Sequence, residues 1–159
     1  MSRRRAQVAL RTGLLATAAI VAAGCFYSKK NEFEDWNPAV PGTRYKTIAT
    51  IAGTSSGPAI RLTVQLRQQL KEGGWNPVPR SGRWDNAAEA VNGVCAPGAE
   101  EPVDGVLIVA YNHLTLYDCQ TLKTVYEIGS SPEGGGMGLK EMTNHLIRYL
   151  QGKSAKPTG

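Results

Sequence analysis

The chain has 159 residues, with 18 Lys and Arg against 13 Asp and Glu and a formal net charge of +5. Four of the cations (Arg3, Arg4, Arg5, Arg11) lie in the first 24 residues, which hold no acid, so the remaining 135 residues carry 14 cations against 13 acids. A nucleic-acid binder keeps a basic face in its folded part; this near-neutral remainder excludes that class and is long enough for one domain with a real core.

Residues 1–24 read as a secretory signal: a basic start, an uncharged and mostly apolar run from Thr12 to Gly24, and small residues at its end. The run is too short for a stable transmembrane helix, which takes about 20 apolar residues. Ala6-Gln7 stand where twin-arginine export needs an apolar pair, so general secretion is expected. Ala22-Ala23-Gly24-Cys25 resembles a bacterial lipobox, with Ala22 where Leu is usual. That resemblance implies that Cys25 is lipidated, becomes the first mature residue and attaches the protein to a membrane. Residue 26 is Phe rather than Asp, which in a diderm host resembles lipoproteins sent on to the outer membrane, facing the periplasm. The alternative is an ordinary signal with a coincidental cysteine.

Residues 25–44 read as the lipidated cysteine and a flexible tether, mixing charge, Pro and Gly without a period. Phe26 and Tyr27 suit the bilayer interface, and Trp36 can pack back on the domain. The globular domain is expected over 45–152, with 153–159 as a disordered tail. Tyr45 to Ala52 is β-rich, and Gly53-Thr54-Ser55-Ser56-Gly57 breaks it. Pro58 suits a first helical position, and Ala59, Leu62, Leu66 and Leu70 follow at helical spacing to Gly73-Gly74. Trp75 to Pro79 is extended, and Pro77 and Pro79 confine it to an edge or a strand start. Asp85 can cap a short helix over 86–91, ended by Gly93. Val106 to Tyr111, continuously apolar, reads as a central strand. Leu114–Tyr117 and Leu122–Ile128 complete a meander through a turn at 118–121. A Gly-rich loop over 129–138 leads to a last amphipathic helix with Leu139, Met142, Leu146 and Leu150 on one face. The fold class is α+β: a mixed sheet of about four to five strands with two main helices.

With Cys25 assigned to lipid, Cys95 and Cys119 remain. In an oxidising compartment a disulfide is the first expectation. Zinc is a poor runner-up, because His113 and His145 are isolated and no close ligand spacing exists; two buried free thiols are the third reading. The loop Gly53–Gly57 lies where a phosphate loop would, but lacks the Walker and dinucleotide patterns and reads as a capped helix start. Gly134-Gly135-Gly136-Met137-Gly138 reads as a connection. No G-x-S-x-G is present. His113 and His145 read as surface or packed residues, and turn chemistry explains Asp104 and Asp118. No enzyme, cofactor or metal is expected.

The order of elements supports a comparison. Asp104-Gly105-Val106-Leu107-Ile108-Val109 is similar to the "aD-x-hhhhG" strand of the TolB amino-terminal-like fold, found also in the envelope lipoproteins CsgG and LpoB. Leu114-Thr115-Leu116-Tyr117-Asp118-Cys119-Gln120-Thr121-Leu122 resembles its "l-x-l-x-D-x-x-T-G" hairpin, with Leu122 in the place of the turn glycine. Arg67 to Gly74 is similar, as a second choice, to the first helix of the lipopolysaccharide-assembly lipoprotein LptE. The resemblance implies a non-catalytic envelope lipoprotein that binds a protein partner in envelope assembly or maintenance, and it assigns no functional residues. The alternative is a periplasmic carrier of a small molecule or lipid.

Overall fold

The chain divides into two units, Met1–Asn31 and Glu32–Gly159. The computed structural model describes residues 32–99, 101–130 and 137–153, all in the second unit. Cys25 and the secretory signal lie outside the described residues, as do most of the Gly134–Gly138 run and the tail beyond Lys153.

Among the described residues six strands form one mixed sheet: β1 (Glu32–Trp36), β2 (Thr47–Ala52), β3 (Asn76–Pro79), β4 (Gly105–Ala110), β5 (His113–Asp118) and β6 (Thr124–Ser130), ordered β1-β6-β5-β4-β2-β3. Three helices among the same residues accompany it: α1 (Gly57–Glu72), α2 (Ala87–Val94) and α3 (Leu139–Leu150). β3, β2 and β4 run parallel, and the remaining pairs are antiparallel. The α+β class is therefore as the sequence suggests.

The two parallel crossovers leave in opposite directions, from β2 to β3 on one side and from β3 past β2 to β4 on the other. Right-handed connections then place their helices on opposite faces. The core divides accordingly. Leu66 and Leu70 of α1 and Met142, Leu146 and Leu150 of α3 pack on Ile48, Leu107, Leu116 and Ile128. Ala90, Val91 and Val94 of α2 cover Ala49, Ile51 and Val106 on the other face. This two-sided burial explains the unbroken apolar run of β4.

Helix ends follow their local chemistry. Ser56 caps α1 by accepting from the Ala59 amide, and Asn86 caps α2 by accepting from Glu89. Asn86 thus replaces the expected Asp85, and α2 continues through Gly93 to Val94 because its apolar stripe continues. Gly74 (φ 91) and Gly152 (φ 70) close α1 and α3 in the left-handed conformation, with Trp75 N–H reaching back to Leu70 and Lys153 N–H to Arg148.

The expected tether over 25–44 needs correction. The domain begins at Glu32, and β1 is the strand missing from the expected four to five. Its side chains alternate faces, but acids on both faces hide the pattern in the sequence. Partners remote in sequence hold it. Glu34 accepts from the Tyr126 hydroxyl at 2.8 Å and meets His145 Nδ1 at 2.8 Å, while Phe33 lies edge-on to His113 at 5.4 Å. After β1, Trp36 and Val40 pack on the core. A 3-10 turn at Gly42–Arg44 then sits directly against the last turn of α3, where Gly42 has no room for a Cβ beside the Tyr149 carbonyl.

Candidate functional site

The parallel strands end at a cleft of about 610 Å³, formed by the loop after β2 and the segment leading into α2. Gly53, Thr54 and Ser55 form one wall, Arg83 and Trp84 the other, and Ile108 and Ala90 lie at the base. Crevices at the carboxyl ends of parallel strands, where neighbouring crossovers go to opposite faces, are common ligand positions. The Gly53 amide donates to Val109 at 2.8 Å, which fixes the loop to β4. Thr54 and Ser56 exchange a 2.8 Å hydroxyl bond, and the Ser56 oxygen already takes the Ala59 amide. The loop is therefore a capped helix start. Trp84 folds over Gly82, where a Cβ would stand 2.6 Å from the indole.

A second groove, of about 700 Å³, runs between α1 and α3 past Val64, Gln68, Leu139 and Lys140. Ile60 and Val64, one helical turn apart on α1, are about half exposed beside it.

The residues with chemical potential are dispersed and individually engaged. His113 lies on the α2 side of the sheet, with Nε2 2.7 Å from Glu127. His145 lies on α3 across the sheet and pairs with Glu34. Asp104 accepts from the Lys46 and Thr47 amides at 2.8 Å each, tying the start of β4 to the start of β2. Asp118 is fully buried and accepts from Tyr45 Oη (3.1 Å), the Thr121 amide (3.0 Å) and Thr121 Oγ1 (2.9 Å), with the Arg44 guanidinium at 3.3 Å. That web shapes the β5–β6 turn, in which Leu122 takes φ 58, a conformation glycine adopts without strain. Both aspartates serve folding.

Burial raises the hydroxyl pKa values of Tyr45, Tyr126 and Tyr149, the last to about 12. Asp118 adds to the effect at Tyr45 and Glu34 at Tyr126. All three therefore act as neutral hydrogen-bond donors. Desolvation lowers the pKa of Arg67, whose Nε donates to Thr50 Oγ1 at 2.7 Å beneath α1. Sequence reasoning missed both this contact and the Glu34–His145–Tyr126 cluster. No local signal marked the latter, because acids fall on both faces of Glu32–Trp36 and its partners are remote in sequence.

Cys95 and Cys119 are bonded, joining the end of α2 to the turn after β5. The zinc and free-thiol readings give way to the disulfide. Among the described residues no group of three or more His, Cys, Asp or Glu could hold a metal ion. No helix among them is long and apolar enough to cross a membrane.

No family model matches the chain, and no curated protein matches it in sequence. Among solved structures it is similar to a dodecamer of a PelC variant from Paraburkholderia phytofirmans, at 15% identity and a TM-score of 0.42, over 77% of this chain and 95% of that one. It is also similar to histidyl-tRNA synthetase from Nostoc sp. PCC 7120, at 13% identity and a TM-score of 0.41, over 84% of this chain and 26% of the synthetase. At these scores neither likeness carries an argument about function.

Proposed function

We propose that the protein is a lipid-anchored, non-catalytic domain of the cell envelope that binds a protein partner in envelope assembly or maintenance. One observation carries the reading: His113, His145, Asp104 and Asp118 stand apart, and each is committed to joining elements of the fold. General acid–base chemistry requires groups converging on one reacting atom, and these four do not converge. The lipobox-like run ending in Cys25, seven residues before the first residue of β1, supports the attachment. Crosslinking in membranes followed by purification of the acylated protein should return a stoichiometric envelope partner. A monomer without one would overturn the reading.

A second reading, a carrier of a small molecule, draws on the 610 Å³ cleft, whose volume lies within the range of ligand sites. Native mass spectrometry of protein purified from its own host should then show a bound mass. A clean apo mass would remove this reading.

A further inference from the structure

We infer that the corner of the sheet at which β1 begins rests on the bilayer holding the Cys25 lipid, with the Tyr111 and Phe33 rings at headgroup level. The inference depends on the lipid-anchor reading above. Its first ground is chain length. Seven residue steps separate Cys25 from Glu32, which even fully extended span at most about 25 Å. Six strands spaced by about 4.8 Å make a sheet roughly 24 Å wide. The start of β1 therefore cannot stand off from the membrane by more than about the width of the sheet.

The second ground is what lies beside that point. Glu32 pairs with Ser130, and Ser130 exchanges hydrogen bonds with Asn112, its amide donating to the Asn112 carbonyl at 3.0 Å and its carbonyl accepting from Asn112 Nδ2 at 2.7 Å. The Tyr111–Asn112 turn is thereby fixed next to the first residue of β1. Tyr111 is 72% exposed, and Phe33, one residue into β1, is 46% exposed. Phe33 lies over Gly129, where a Cβ would come within 2.9 Å of the ring, so it is held at this corner. Two exposed aromatic rings at the corner where β1 begins are accounted for by a water–bilayer interface, which favours the amphipathic ring of Tyr111 and takes the apolar ring of Phe33 out of water. The opposite end of β5 and β6, bearing Lys123, lies roughly 20 Å farther along the strands.

The test uses the full acylated chain on vesicles of phosphatidylethanolamine and phosphatidylglycerol. Acylation of Cys25 and the Cys95–Cys119 bond leave a cysteine at Tyr111→Cys or at Lys123→Cys as the one free thiol for an environment-sensitive fluorophore. Both positions are exposed, so neither change disturbs the core. The label at 111 should be blue-shifted and quenched by spin-labelled lipid several-fold more strongly than the label at 123. If the protein floats with vesicles, Cys25→Ser does not, and the two labels respond alike, the docked corner is overturned while the anchor stands. If flotation does not depend on Cys25, the anchor reading falls, and this inference with it.

Discussion

Gly42 tests whether residues 32–44 belong to the fold. An alanine there would drive its Cβ into the Tyr149 carbonyl group, 2.6 Å from the carbonyl carbon and 2.9 Å from Leu150 Cα. These are backbone atoms of α3, so no side-chain rotation relieves the overlap; the 3-10 turn and the last turn of α3 must separate. That movement loosens Tyr149, which stacks on Tyr126 at 4.8 Å and donates to the Val40 carbonyl at 2.9 Å. Forced overpacking costs about 1–3 kcal/mol, and an obstruction made of backbone belongs at the upper end. For a domain of this size a loss of about 3 kcal/mol lowers Tm by roughly 10 °C. Urea and thermal unfolding in a Cys25→Ser background would measure it. Gly57→Ala, at the exposed start of α1, is the control and should be neutral or stabilising by up to about 1 kcal/mol. A loss below about 0.5 kcal/mol for Gly42→Ala, within the scatter of surface substitutions, would restore the tether reading.

Reducing the Cys95–Cys119 bond, which closes a loop of sequence separation 24, should cost about 3 kcal/mol. An unchanged melting curve under reductant would show that the bond does not constrain the unfolded chain. Asp118→Ala leaves the Tyr45 hydroxyl and Thr121 amide without their acceptor in the core, and should cost about 3–5 kcal/mol by chemical denaturation; Asp118→Asn, which keeps one acceptor, should cost less. Alkaline pH gives a signed test. Burial raises Tyr149 to about 12, above the unfolded value near 10, so folding favours the neutral hydroxyl. That contribution is fully present below about pH 10 and is lost as pH rises towards about 12. Absorbance at 295 nm should show tyrosinate forming later in the folded than in the urea-unfolded protein, with unfolding accelerating across that window. Coincident titrations would refute it. Replacing His113 and His145 together with Gln should leave partner capture intact, and its loss would give one of them a role beyond joining strands.

Local order was legible in the sequence wherever the signal was local. The α1 and α3 stripes, a capped start to α1 within Gly53–Gly57, the Gly73-Gly74 stop of α1 and the apolar run of β4 follow from helical period, capping chemistry and two-sided burial; the structure decides that Ser56 is the cap. They depend on residues within a few positions of one another. The cysteine pair was legible by count. Only tertiary structure decided β1, because its pairing with β6 and its Glu34 contacts bridge 92 and 111 residues. No short window of sequence contains those partners. The same applies to Gly42, whose closeness to α3 is a property of packing. The candidate site divides along this line. Residue types alone placed Cys25 in a lipobox-like run, but the number of residues between it and the folded domain depends on where the first strand begins, which pairing across the sheet decides.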